Sequence, residues 1–470
     1  MKILIKAVAI ILFVCSCGTV LDKNKHQDNN GNDSPSDKNK TSIKPNWQRG
    51  PQKDREAVQK AIEDTAQILK TCDGPENQRS PLCTPVDLEW DANDFMFNKS
   101  GPVVLVLESI PWHFIYGKYR HRTKGVLLSS SDGTYAKQSH LVNPKKAPKA
   151  LVKLLQDDIA DHPETGTILA MDTKNPAIIS QIEVTILPNN PSNGHALVTT
   201  SIIGENSPET PFVFADDDVF ALDQDVLCQK KWNQISERLQ LGSSSLKQLI
   251  QELGITIINL SVGHDPSVLE TMAKAECPDI SFSDEEIKKL LELYLQFYEV
   301  LTNIPDVLVV QSGRNGFSTV EDATAERNPL DCSTERFPNR IRVGFYNATG
   351  NDGLLPAEGG SFEDVASLIP ASIRRADHCY DVFVNAGPGD LTDGPSSFRV
   401  TWGIGAGAFP VMWTSFASPI ITARMVNLVN ESGPSDPVGL YNQLTSQGQF
   451  KAQDPLGNKQ FDAFRLGYKP

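Results

Sequence analysis

The sequence has no Cys-x-x-Cys pair and no histidine-rich stretch. Without such spacing there is no ligand set for zinc or an iron–sulfur centre, and no cofactor or metal is expected. Basic residues are in deficit, with 44 Lys and Arg against 58 Asp and Glu, which leaves a net charge of −14. That balance excludes a surface built for nucleic acid and any charge-driven attraction to anionic lipid. Long apolar runs are missing too: the longest, Ala7 to Val14, falls far short of the roughly 20 residues a spanning helix needs. No repeat of fixed period is visible, which excludes solenoids and propellers.

What is present begins with a targeting pattern. Lys2 and Lys6 precede the apolar run, and Cys15-Ser16-Cys17-Gly18 follows it, so residues 1–16 read as an export signal. Val14 and Ser16 ahead of Cys17 resemble a bacterial lipobox. The resemblance implies cleavage before Cys17, lipidation of its thiol, membrane attachment through that lipid and an extracytoplasmic location; a plain secretory signal with an unmodified Cys17 is the alternative. Residues 17–45 are Asn, Asp, Lys, Ser and Pro with almost nothing apolar, and such a segment reads as a tether that cannot offset its own ordering entropy. With Cys15 removed and Cys17 lipidated, Cys72, Cys83, Cys228, Cys277, Cys332 and Cys379 remain. An even set in an exported chain reads as disulfides, and Cys72 with Cys83 across Gly-Pro-Glu-Asn is the expected pair.

Residues 46–100 read as a helical lead-in, because Val58, Ile62, Ala66 and Leu69 fall on one helical face. From residue 101 to 470 short apolar runs alternate with amphipathic stretches. Strands are predicted at Val103–Leu107, Phe212–Phe214, Thr256–Leu260, Val307–Val310, Ile341–Phe345 and Val382–Val384, with helices over Ala147–Asp161, Trp232–Leu253, Asp284–Thr302 and Ile420–Val429. Continuous Val/Ile/Leu runs between helices indicate a doubly wound α/β domain with a mostly parallel sheet. In such sheets chemistry gathers beyond the C-terminal ends of the strands.

The residues at those ends form an ordered set: Ile257-Ile258-Asn259-Leu260-Ser261-Val262-Gly263, then Val309-Val310-Gln311-Ser312-Gly313-Arg314-Asn315-Gly316, then Ile341 to Gly344 and Asp381 to Gly389, and finally Thr414-Ser415 with Ala417-Ser418-Pro419. Across Pro102 to Val429 the set resembles the subtilisin-like serine proteases. The resemblance implies a peptide or protein substrate and hydrolysis through an acyl-enzyme, with Ser415 as nucleophile. A serine needs an imidazole to take its proton, and Asn193-Gly194-His195 resembles the family's catalytic-histidine helix, with His-Ala-Leu where the family has His-Gly-Thr.

Two carboxylates compete to orient His195. Val103–Leu107 delivers Glu108-Ser109-Ile110, whereas Ile168–Met171 delivers Asp172-Thr173-Lys174 only 23 residues before His195. Strand spacing favours Glu108. The oxyanion donor is equally divided: strict register gives Arg314 and a shift of one gives Asn315. Ser415 lacks glycines two residues away on either side, which excludes the nucleophile elbow of α/β-hydrolases. Asp216-Asp217-Asp218 could hold calcium but reads as a solvated strand end. The departures from the family pattern, bulky Trp413 among them, keep a second reading open: a catalytically inactive surface scaffold with this fold.

Overall fold

The computed structural model describes residues 52–94, 101–112, 114–157, 175, 177–178, 180–181, 193–207, 210–261, 263–317, 319–346, 376–385, 414–433, 439–440, 450–453 and 460–464. The signal, Cys17, the tether, Trp413 and Asp172 with its strand lie outside them.

Among the described residues ten strands form the main sheet: β1 (Val103–Leu107), β2 (Thr123–Ser129), β3 (Tyr135–Gln138), β4 (Phe212–Ala215), β5 (Ile255–Leu260), β6 (Leu308–Ser312), β7 (Arg340–Tyr346), β8 (Val382–Asn385), β9 (Phe450–Gln453) and β10 (Gln460–Phe464). Their order is β9-β10-β8-β7-β6-β5-β1-β4-β2-β3. Every pairing is parallel except the two edge pairs, β2 with β3 and β9 with β10. The chain leaves β1 toward the β2 side and leaves β5 toward β6. Those diverging connections put the topological switch point between the ends of β1 and β5.

Among the described residues the six longer helices are α1 (Gln52–Cys72), α2 (Asn193–Asn206), α3 (Trp232–Leu253), α4 (Pro266–Glu276), α5 (Asp284–Thr302) and α6 (Thr414–Ser432). α3 and α5 have the bounds their periodicity predicts. α6 starts six residues before its predicted apolar run, because the hydroxyl-rich turn is already helical. Of the helix predicted over Ala147–Asp161, Lys149–Val152 form an α-turn and Lys153–Asp157 a π-turn, and 158–161 lie outside the described residues.

Strand alternation sorts the core into two layers. Val103, Leu105 and Leu107 of β1 pack with Ile258 and Leu260 against Leu246, Ile250, Leu290 and Tyr294 of α3 and α5. Val104 and Val106 pack with Ile257 and Val310 on the other face, against Ile202 and Ile203 of α2 and Ile420, Met425 and Val426 of α6. Ile62, Ala66 and Leu69 of α1 join this second cluster, so the lead-in helix adds to the main core. A further consequence of alternation is that Glu108, in phase with Val104 and Val106, faces α2 and α6.

Three disulfides join Cys72 to Cys83, Cys228 to Cys277 and Cys332 to Cys379. They fit an oxidising compartment. Among the described residues no helix is long and apolar enough to cross a membrane.

A buried arginine anchors the C-terminal end of α2. Arg122 donates to the carbonyl oxygens of Gly204 at 3.2 Å, Ser207 at 2.7 Å and Thr210 at 2.9 Å, and its guanidinium lies over the rings of Tyr119 and Phe212. A cation there satisfies carbonyls the helix leaves unpaired and meets the negative end of its dipole. Arg122→Met keeps most of the volume and takes the side-chain donors away from all three carbonyls, although Ser207 O still accepts from Thr210 N at 3.1 Å. Chemical denaturation is expected to read a loss of about 3 kcal/mol; an unchanged midpoint refutes the anchoring role.

Candidate active site

The switch point brings the separate motifs together. Glu108, the first residue beyond β1, is buried, and its backbone N–H donates to Ala215 O at 3.0 Å. One carboxylate oxygen meets His195 Nδ1 and the other accepts from Thr199 Oγ1 at 2.9 Å. Thr199 is one turn after His195 on α2, so a single helical face presents both groups to Glu108. Burial disfavours the imidazolium, but the Glu108 charge and hydrogen bond outweigh it and hold His195 above the usual imidazole value. With Nδ1 facing a carboxylate that can only accept, the neutral ring carries its proton there and leaves Nε2 as an acceptor.

Ser415 is the second residue of α6 and is buried. Phe416, its neighbour, lies with its ring centroid 5.2 Å from that of His195, so α2 and α6 meet beside the two candidate side chains. α6 is tied to the end of β5 by hydroxyls. Ser261 Oγ donates to Ser415 O at 3.1 Å and lies 3.0 Å from Ser418 Oγ; Asn259 Nδ2 donates to Ser261 Oγ at 2.9 Å, and Thr422 Oγ1 donates to Asn259 Oδ1 at 2.9 Å. These partners fix the height of the first turn of α6 above the sheet.

The two oxyanion candidates separate cleanly. Asn315 Oδ1 accepts from Thr414 N at 3.0 Å and from Thr414 Oγ1 at 2.7 Å. A backbone N–H can only donate, so the amide oxygen must face it and the amide NH₂ is turned away from Thr414. Arg314 points elsewhere: its Nε pairs with Asp265 at 3.3 Å, and its terminal nitrogens donate to Asn328 Oδ1 at 3.3 Å and Ser267 Oγ at 3.1 Å. Arg314 is thus drawn to the cap of α4, while Asn315 contacts the residue before Ser415.

Other titratable groups near the strand ends have different roles. His264, beyond β5, packs against Phe220, Tyr294 and Tyr298, with Nδ1 2.6 Å from Tyr298 Oη. Burial pushes it down to about 4, despite Asp265 beside it, so it stays neutral. Asp216 accepts from Ser129 N at 2.9 Å and Ser129 Oγ at 2.7 Å, which ties its carboxylate to β2. Asp217 is pushed up to about 7, first by burial and then by Glu108. Among the described residues the one group of three metal-type donors is Cys332, His378 and Cys379, whose two sulfurs are joined to each other.

Thr199 and Thr422 escape a reading by motif alone, and Ser261, Ser418 and Asp217 stand in the quoted motifs without the roles seen here. The one-turn spacing of Thr199 from His195 is a usable signal. The hydroxyl ladder has none, since its members come from two distant segments.

No protein-family model and no curated protein matches the chain. Its structure is similar to a cold-adapted subtilisin-like serine proteinase at 15% identity and a TM-score of 0.31, covering 78% of this chain and 90% of that one. It is similar also to a lanthipeptide protease at 12% identity and a TM-score of 0.36, covering 74% and 81% of the two chains. A third likeness is to an S41 psychrophilic protease, at 12% identity and a TM-score of 0.31, over 80% of this chain and 98% of that one.

Proposed function

We propose that this chain is a subtilisin-like serine endopeptidase in which Ser415 attacks the peptide carbonyl, His195 takes and returns the proton, and Glu108 orients the imidazole. The observation that carries the reading is the Glu108–His195–Thr199 arrangement at the switch point, beside the helix that begins with Thr414 and Ser415. A buried carboxylate on Nδ1 selects the tautomer whose Nε2 accepts the serine proton, and it stabilises the imidazolium that results. The proton then passes to the leaving amine, and water repeats the sequence on the acyl-enzyme. Asn315 supplies an N–H for the oxyanion together with the backbone N–H groups at the start of α6.

Asn315→Ala is expected to lower kcat by about 100- to 1,000-fold with little change in KM, since the donor acts on charge that develops in the transition state. Steady-state kinetics on one peptide amide checks it. In the same reading Cys17 carries a lipid that holds the protein on the outer side of a bacterial membrane, and the signal ends at residue 16.

A fluorophosphonate probe tests the reading, because it reacts with an activated serine and spares an ordinary one. Labelling that maps to Ser415 and disappears in Ser415→Ala supports the peptidase. A folded wild-type protein that takes no label supports the inactive scaffold.

A further inference from the structure

We infer that Arg314 recognises a carboxylate side chain on the residue whose carbonyl is attacked, so that the site selects glutamate or aspartate on the acyl side of the cleaved bond. The catalytic consequence rests on the proposed peptidase reading, while the binding consequence stands apart from it.

The two catalytic groups dictate where a substrate must lie. Its leaving amine has to reach His195, which sits by the end of β1. The acyl-side residue therefore extends the opposite way, over the ends of β5 and β6. Its carbonyl oxygen meets Asn315, and Arg314 is the preceding residue. Ser261 and Asp265 follow β5, and Gly313 to Asn315 follow β6, so the Arg314–Asp265 pair spans the gap between the two segments flanking Ser415.

The charged groups at that gap are Arg314, Asp265 and the buried Asp331, whose Oδ1 accepts from Arg314 N at 3.1 Å. Asp265 is fully engaged: Oδ1 accepts from Ser267 N at 2.7 Å, Ser267 Oγ at 2.6 Å and Val268 N at 3.1 Å as the cap of α4, and Oδ2 faces Arg314. Arg314 is held loosely by comparison. Its three side-chain contacts span 3.1 to 3.3 Å, longer than the roughly 2.7–2.9 Å of a good charge-assisted bond. Asn328 and Ser267 each engage one N–H of a terminal nitrogen, which leaves the second N–H of both for a ligand, and 22% of the side chain is exposed. Phe317 supports the guanidinium plane from one side at 5.4 Å, and Tyr380 Oη fixes the Arg314 carbonyl at 2.5 Å. A planar fork with donors to spare, braced on an aromatic ring, is suited to a carboxylate. The nearby N-terminus of α4 adds positive potential of the same sign. A lysine or arginine on the substrate would meet Arg314 and find Asp265 already occupied.

The test uses full-length protein carrying Ser415→Ala and peptide amides differing only at the acyl-side residue, with binding read by calorimetry. The glutamate peptide is expected to bind about 10- to 100-fold more tightly than its glutamine counterpart. Arg314→Met should erase the difference and Arg314→Lys retain part of it. Asp265→Asn keeps the cap but removes the competing charge, so it should raise the glutamate preference several-fold. Equal binding of the two peptides overturns the inference, as does a preference for lysine or one unchanged by Asp265→Asn. If Arg314→Met fails to fold, Asp265→Asn decides alone. Glutamate-selective binding in a protein that takes no fluorophosphonate sinks the peptidase reading and leaves the recognition standing.

Discussion

His195→Ala should reduce peptide hydrolysis by about four to six orders of magnitude, as expected when a serine loses the base that accepts its proton. The residual rate should still exceed that in water, because Asn315 and the substrate contacts are untouched. In the proposed mechanism the same residue sets an acid limb on kcat/KM of the unaltered protein. His195 works only when unprotonated, and the Glu108 pairing holds its pKa above the usual imidazole value, so activity should fall as pH drops through that raised value. Asp217 is pushed up to about 7, and its charge favours the imidazolium. Asp217→Asn should therefore move the acid limb to lower pH. An acid limb that stays in place after that change removes Asp217 from the site's electrostatics. The stability contribution of the His195–Glu108 pair runs in the opposite sense: it is fully present below the unfolded imidazole pKa and is lost as pH rises through the raised folded value.

The fold is legible in the sequence where burial is two-sided. β1, β5 and β6 have runs of Val, Ile and Leu because both faces are covered, and α3 and α5 carry one clean apolar face each. β2 and β3 escape notice since Thr123-Lys124-Gly125 and Ala136-Lys137-Gln138 mix polar residues into strands near the sheet edge, where one side meets water. The turn at Thr414-Ser415 is legible because hydroxyls gathered at a helix start serve either as caps or as reactive groups. The choice between Arg314 and Asn315 is not, because a shift of one residue in a loop depends on what each side chain can reach. Asp265 and Ser267, far away in sequence, draw Arg314 aside, and only the folded chain puts them next to it.

The Glu108 assignment makes the sharpest demand on a single atom. Glu108→Gln should keep the fold, since an amide has nearly the same shape and can still accept from Thr199 Oγ1, yet turnover should fall about 10⁴-fold. Two physical losses combine in that number. If the amide NH₂ faces Nδ1, the ring must put its proton on Nε2 and can no longer receive one from Ser415. If the amide oxygen faces it instead, the tautomer is right but no negative charge remains to stabilise the imidazolium. The variant should also bring the acid limb down toward the ordinary imidazole range, a shift that a purely structural carboxylate would not produce. Asp172→Asn is the matched control and should leave both turnover and pH profile close to unchanged, because the carboxylate at Nδ1 comes from the end of β1. The opposite outcome, loss with Asp172→Asn and tolerance of Glu108→Gln, would hand the orienting role to Asp172 and leave Glu108 as a buried acid that merely braces Thr199 and the first turn of α2.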